Sequence, residues 1–507
     1  MKKNIVIIHY NTPLLTECLV RSINLFVEDA IIYIFDNSDK EPFTAKFDNV
    51  CLLDNTKGEI INFDKWLEKY PNRFRSGGKA NSWGSAKHCY SVEKCMEIIN
   101  KPFILLDSDV LLKKDISELF DANIVYAGKE VNQPKSIIKR VLPFLCFINT
   151  DFCKKHNIHY FNENYMHGLS HNIINKSADS YDTGASFYLN ANEFRHLDIN
   201  LNDYIIHYGH GSWTKNGYER KLTEDEWLKL HKRFWSGERN ENVVYTCISG
   251  KYDSLKDPNF ISEGFDYICF TDNDEFESSI WDIRRLPPET DNLSQVKKQR
   301  YIKINPHLVL QDYKLSIWVD GNVSINSDLN NLIKQVMNDN CSIYVPRHPK
   351  RKCIYEEAKI VMLLHKDTKE NIVKQLERYK NLGFPSNYGL LQSNIIIRKH
   401  NNNDCIKFMT EWFDEVKNGS HRDQLSFNYV SWINKDIEIY YLNKNIYNSK
   451  WFYWDGKHYQ CSNQKIVYTK KNTDKIKKYQ REINLLKDNF SQVINGKKLN
   501  VYNVGIY

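Results

Sequence analysis

The stretch FILLDSDVLL, Phe103 to Leu112, is an apolar run with two carboxylates set into it. About two hundred residues later SIWVDGNVSI, Ser316 to Ile325, repeats the outline with Asp320 and Asn322. Burying such groups is costly unless something binds them. In a strand, residues two apart face the same way, so Asp107 and Asp109 are expected to present oxygens to one point while Ser108 faces away. Hard oxygen pairs suit Mg2+ or Mn2+, and such an ion can bridge to a diphosphate. Taken alone, an Asp-x-Asp tripeptide reads first as a strand ending in a polar turn, since the tripeptide is common.

The flanks read as alternating strands and helices. NIVIIHY (4–10) and IIYIFDNSD (31–39) are β-branched runs, and between them Leu15, Cys18, Leu19 and Ile23 carry helical spacing. A further helix is expected from Asn81 to Ile99, with Ala86, Cys89, Tyr90 and Met96 facing inward, feeding the Phe103 strand. Such alternation predicts an α/β fold with a mainly parallel, doubly wound sheet whose ligands collect beyond the carboxyl ends of the strands.

The first domain closes near residue 237. In LTEDEWLKLHKRFWSG, Thr223 and Glu226 form a capping box, Leu222 and Trp227 a hydrophobic staple, and Gly237 suits the C-terminal turn. After the polar SGERNEN the pattern restarts at VVYTCISGKYD (243–253), continues through FDYICFTDND (265–274) and a helix around Val296 to Ile304, and reaches KLSIWVDGN (314–322). The expected domains are therefore 1–237, 243–465 and a basic helical tail, 466–507. In the tail Ile476, Tyr479, Ile483, Leu486 and Phe490 form a two-heptad stripe among lysines. Packing on its own domain, self-association, and docking on an anionic membrane that carries lipid-linked acceptors are its three readings.

Composition bounds the function. A chain of 507 residues suits two domains, and 70 basic against 63 acidic residues is too balanced for a dedicated nucleic-acid binder, although the +7 balance favours phosphate-bearing ligands. The opening MKKNIVIIHYNTP holds four consecutive apolar residues, Ile5 to Ile8, and no apolar run approaches the roughly 18 residues that span a bilayer, so a cytosolic chain is expected. The twelve cysteines include no C-x-x-C pair and are expected to be free thiols, with Cys51, Cys146, Cys247 and Cys269 acting as small hydrophobes. The NVS at Asn322 disfavours a secreted location, because a glycan there would block the second motif.

IVIIHYNTPLLTECLVRSI, IFDNSD, GSAKHCYSV and FILLDSDVLL together resemble the nucleotide-binding half of glycosyltransferase family 2-like enzymes with the A-type fold, over about the first 215 residues. The resemblance implies that Asp36 contacts the base or ribose of the donor and that Asp107 and Asp109 hold metal and diphosphate. It also places a carboxylate base at Asp182 in SYDTGASFY, implying inversion, although Asp182 reads equally well as a helix cap. His207, preferred over His210 in IIHYGHGSW, would complete the metal sphere; either also reads as a structural histidine.

In the second half, Lys251 in ISGKYD is a candidate phosphate contact, and Asp272 occupies the place of Asp36. RHPKRKCIYEEA, FPSNYGLLQSNIIIRKHN and GSHRDQLSFNYV resemble a glycosyltransferase-like domain of plant mucilage-related proteins and bacterial surface-polysaccharide loci, across Val243 to Trp432. By that resemblance Asp320 and Asn322 are the metal motif, His348, Arg351 and Glu357 line the donor site, and Asp423 is the catalytic carboxylate. The plain alternatives are that Arg422 and Asp423 pair with neighbours and that RHPKRK is a solvated face.

Two Rossmann-like nucleotide-diphospho-sugar transferase domains of the A type are thus expected, forming a bifunctional glycosyltransferase. It would use Mn2+ or Mg2+, nucleotide-sugar donors (UDP-sugars first among them), and a glycan or lipid-linked glycan acceptor of a bacterial surface polymer. The alternative makes one domain a glycan-binding module. A nucleotidyltransferase is disfavoured, since no glycine-rich triphosphate loop follows either first strand.

Overall fold

The computed structural model describes residues 2–69, 80–132, 139–161, 182–209, 222–250, 252–337, 340–454, 460–462 and 465–467. The proposed tail helix, Lys251 and His210 lie outside the described residues. The chain forms two compact units, Met1–Arg239 with Glu277–Ile280, and Asn240–Phe276 with Trp281–Tyr507.

The first unit is built on β1 (Lys3–His9), β2 (Ala30–Asp36), β3 (Val50–Asp54), β4 (Phe103–Asp107), β5 (Val110–Leu112), β6 (Tyr126–Asn132), β7 (Lys139–Ile148), β8 (Leu197–Asp198) and β9 (Ile205–His207). Seven of these form one sheet in the order β3-β2-β1-β4-β7-β6-β8. The four strands from β3 to β4 are parallel, as the alternating pattern predicts. The sheet is mainly parallel, as expected, with one reversed strand: β7 runs antiparallel to both β4 and β6, while β8 is parallel to β6. Apolar periodicity reports burial and carries no strand direction, which is why direction escapes it. A register shift between β6 and β7 spans Pro143, which has no N–H to offer a ladder.

Both faces of this sheet are buried. Ile5, Ile7, Ile104 and Leu106 join one apolar cluster, while Val6, Ile8, Phe103 and Leu105 join the other. An uninterrupted apolar strand is what two-sided burial demands. Helix Ala80–Ile99 covers one face with Cys89 and Met96 buried, close to its expected span. Thr223 and Glu226 make the expected capping box at the start of helix Glu224–Leu230.

The second unit repeats the plan. Its strands are β10 (Asn242–Ile248), β11 (Phe265–Thr271), β12 (Asp282–Arg285), β13 (Leu315–Val319), β14 (Val323–Ile325), β15 (Ile343–Pro346), β16 (Ile395–Arg398), β17 (Ile439–Leu442) and β18 (Phe452–Trp454). The sheet order is β12-β11-β10-β13-β16-β15-β17, with the same sequence of parallel and antiparallel neighbours as in the first unit. In each unit a short antiparallel pair begins just after the polar motif, β5 with β9 and β14 with β18.

Those short pairs correct one expectation. Asp109 does not continue the strand that carries Asp107; Ser108 and Asp109 form a turn between β4 and β5, and Gly321 and Asn322 form a turn before β14. The two oxygens of each motif are presented at the carboxyl end of a central strand and in the turn that follows it, rather than by strand alternation. The described cysteines are free, and Cys146, Cys247 and Cys269 are buried, but Cys51 is exposed because β3 is an edge strand.

Gly184 is the N-cap of helix Ala185–Ala191, in the left-handed region at φ +82°, and a Cβ there would overlap the Val141 carbonyl oxygen. Gly184→Ala is expected to destabilise the fold by more than the ~1–2 kcal/mol of the backbone conformation alone. Gly264→Ala, also at φ +82° but with open space around it, should lose only that smaller amount when the two are compared by thermal denaturation.

Candidate functional site

In the first unit the polar residues at the end of β4 meet side chains from helix Ala80–Ile99 and from β9. Asp107 Oδ1 lies 3.1 Å from His88 Nε2 on helix Ala80–Ile99. Asp109 is buried, with Oδ1 3.2 Å from His207 Nε2, and its carbonyl accepts the Tyr208 N–H at 2.9 Å. The β5–β9 pairing sets this meeting, because it places Val110 opposite His207. Burial depresses the His207 imidazole, but Asp109, with help from Asp107, outweighs it and raises the pKa above the usual value. Both carboxylates of the motif thus act on one imidazole.

Asp182 is held by Arg140 Nη1 at 2.7 Å and by the Ser85 hydroxyl at 3.0 Å. Its side chain does not cap the following helix, where Gly184 is the N-cap. Ser85 and His88 lie one helical turn apart, so one face of helix Ala80–Ile99 serves both Asp182 and Asp107. Sequence reading used this helix for packing and, through GSAKHCYSV, for the resemblance, but named no site residue on it. Its available signal was the polar pair Ser85 and His88 interleaved with the apolar stripe. The Nδ1 of His88 and the Nε of Arg140 are buried without a hydrogen-bond partner among the described residues.

Asp36 is a correction. Its carboxylate is 1% exposed, and its oxygens accept the backbone N–H groups of Ser38 and Phe43, both at 2.8 Å. It shapes the loop after β2. Asp272, at the matching end of β11, is exposed and accepts the Gly250 N–H at 2.6 Å. It is not among the residues lining the second unit's cleft.

That cleft has a volume of about 930 Å³ and brings together Asp320, Asn322, His348, Arg351, Glu357 and Asp423. RHPKRK is therefore more than a solvated face. His348 Nδ1 accepts the N–H groups of Lys350 and Arg351 at 3.2 and 3.0 Å. Burial, then the charges of Arg351 and Lys350, push its pKa down to about 4, so the ring is neutral near pH 7, with Nε2 3.2 Å from the Arg351 guanidinium. Arg351 in turn pairs with Glu357.

Asp423 lies in the cleft and is also paired with its neighbours, as the plain alternative had it. It is 1% exposed, with Oδ2 2.8 Å from Lys303 Nζ and Oδ1 3.5 Å from Arg300 Nε. Burial alone would raise its pKa, but Arg300, Lys303 and Arg422 together hold it well below the usual carboxylate range. A carboxylate so tightly paired is a poor proton acceptor; it anchors cations instead. Lys303, itself 1% exposed, also reaches Asp320 Oδ1 at 3.3 Å and Ser393 Oγ at 3.0 Å. Sequence reading missed Arg300 and Lys303, although KKQRYIKI places them one turn apart on a helix. It also missed Asn394, 5% exposed in the cleft lining, whose side-chain oxygen and nitrogen have no partner among the described residues.

The two units differ in how they fit a divalent ion. Among the described residues no three His, Cys, Asp or Glu side chains stand close enough together to hold one. The first unit's donors fit in kind, being two carboxylates and an imidazole with one pair already in contact. The second unit's do not, since Asp320 Oδ1 is taken by Lys303 and by the Trp318 indole N–H at 2.8 Å.

Residues 280–449 match the TOD1/MUCI70, glycosyltransferase-like domain family. A comparison with curated proteins gave no match. Among solved structures, the chain is similar to the WbbM bifunctional glycosyltransferase at 10% identity and a TM-score of 0.29, over 87% of this chain and 86% of that one. It is similar to the glycosyltransferase GlyE of Streptococcus pneumoniae TIGR4 at 9% identity and a TM-score of 0.26, over 60% and 83%. For mouse xyloside xylosyltransferase 1 the values are 10% and 0.25, over 40% and 85%.

Asp423→Asn would leave the buried Lys303 ammonium without its nearest counter-charge, for an expected loss of ~3–5 kcal/mol in urea titration. Replacing both by Asp423→Leu and Lys303→Met should recover much of it. Because the folded carboxyl is held below its unfolded pKa, its contribution is complete above the unfolded value and is lost as pH falls through the folded one. Stability of Asp423→Asn should therefore fall less steeply on the acid side than that of the parent.

Proposed function

We propose that the chain is a bifunctional glycosyltransferase of two tandem A-type units. Each would move a sugar from a nucleotide donor, a UDP-sugar first among the candidates, to a growing bacterial surface glycan such as a capsule or O-antigen. The observation that carries this reading is the repeated placement of polar oxygens at the carboxyl ends of β4 and of β13, in two sheets of identical strand order. The match of residues 280–449 to a glycosyltransferase-like domain family supports it. A chain holding two sites keeps the product of one near the other, which suits a two-sugar repeat.

In the first unit Asp182 is the base of the reading. The acceptor oxygen bonds to the anomeric carbon while the bond from that carbon to the diphosphate oxygen breaks and its electron pair leaves with the nucleoside diphosphate. The acceptor proton passes to Asp182, which Arg140 and Ser85 hold in place. Asp107, Asp109 and His207 would hold Mn2+ or Mg2+, which neutralises charge on the departing diphosphate when bound. No helix among the described residues is long and apolar enough to cross a membrane. A lipid-linked acceptor would then be met by peripheral contact, for which the basic tail is the candidate.

A second reading makes the second unit a glycan-binding module. Tyr252, 62% exposed, and Tyr453, 54% exposed, line its cleft, and such rings stack well on sugar faces.

Product analysis of the full chain separates the readings. Asp182→Asn should slow one sugar addition by roughly 10²–10⁴-fold with little change in donor KM. Asp320→Ala should abolish the other addition. If Asp320→Ala leaves every product forming at the parent rate and only weakens glycan binding, the module reading is correct.

A further inference from the structure

The cleft of the second unit contains a cation of its own. Lys303 Nζ stands between Asp423 Oδ2, at 2.8 Å, and Asp320 Oδ1, at 3.3 Å, with Ser393 Oγ at 3.0 Å. Two of the ammonium's three N–H donors are taken by Asp320 and Ser393, and Asp423 Oδ2 holds it as an ion pair. The Lys303 backbone is fixed as well, since the buried Arg398 guanidinium donates to the Lys303 carbonyl at 2.8 Å and to that of Ile304 at 3.5 Å. The ammonium therefore has nowhere else to go. A divalent ion bonded to the same Asp320 oxygen, about 2.1 Å away, would press a second positive charge against it in a poorly screened interior.

The remaining lining is cationic. Six Lys or Arg side chains face four Asp or Glu in the cleft. Two of the four carboxylates, Asp320 and Asp423, are already bound to Lys303. Arg300 and Arg422 both line the cleft and feel each other's charge, and Arg422 Nε has no hydrogen-bond partner among the described residues. Two guanidiniums kept together at such a place form a fork suited to phosphate oxygens.

We propose that the second unit binds the diphosphate of its donor without a divalent ion, Lys303 filling the cation position between Asp320 and Asp423 while Arg300 and Arg422 meet the phosphates. The inference rests on the sugar-transfer reading of this cleft. It makes the two units unlike in chemistry, with a metal proposed for the carboxylate pair of the first unit and built-in charge for the second.

Two binding measurements on the full chain test it, and neither needs turnover. Mn2+ bound to the parent and to Asp320→Asn is counted by electron paramagnetic resonance, with and without inorganic pyrophosphate. The stoichiometry should be the same in both; loss of an equivalent in Asp320→Asn overturns the proposal. Pyrophosphate binding is then titrated calorimetrically in excess EDTA. Binding should persist in the parent and weaken by about tenfold or more in Arg300→Gln and in Lys303→Met. Arg300→Gln keeps the test decisive if the buried Lys303→Met does not fold. Absence of binding in EDTA, or binding indifferent to Arg300→Gln, overturns the proposal. Failure of sugar transfer alongside EDTA-resistant, Arg300-dependent binding would count against the transfer reading and leave this one standing.

Discussion

A sheet covered on both faces can show polar chemistry only where its strands end, and this constraint organises both units. β1 and β4 of the first unit alternate their apolar side chains between two buried clusters, so neither face is open to a charged ligand. The strands therefore deliver Asp107 and Asp320 to their carboxyl ends, where a turn rather than a further strand residue supplies Asp109 or Asn322. Burying those oxygens would be costly without partners, and each unit provides them from elements distant in the chain.

The partners chosen differ, and the chemistry differs with them. The first unit sets imidazoles against its carboxylates, His88 at Asp107 and His207 at Asp109. An imidazole can give up its proton and become a metal ligand, so that site is convertible. The second unit sets a buried lysine against Asp320 and Asp423. That ammonium, ion-paired with both carboxylates, occupies the place between them. One strand order thus carries two ways of gathering positive charge at the same place.

Helices do much of the positioning. One face of Ala80–Ile99 supplies Ser85 and His88, and one face of Gln295–Ile304 supplies Arg300 and Lys303. Residues three apart lie on one side of a helix, so in the first they serve two carboxylates, Asp182 and Asp107, and in the second they converge on Asp423, with Lys303 reaching Asp320 as well. The Arg398 guanidinium closes the C-terminal end of the second helix, where carbonyl groups otherwise lack partners.

Local pattern in the sequence determined the elements: the βαβ alternation, the capping box at Thr223 and Glu226, the restart after residue 240, and the two polar motifs at strand ends. These are short-range properties, set by periodicity, caps and turn formers within about ten residues. Tertiary structure decided what those motifs face. The antiparallel course of β7 and β16, the inward turn of Asp36, and the capture of Asp423 by Lys303 depend on partners brought together by the sheet. Lys303 and Asp423 lie more than a hundred residues apart, and no spacing rule reaches across that distance. A carboxylate reads the same in sequence whether it meets water, an N–H group or a buried ammonium. Only the fold chooses among the three, because solvation and counter-charge belong to the place and not to the residue.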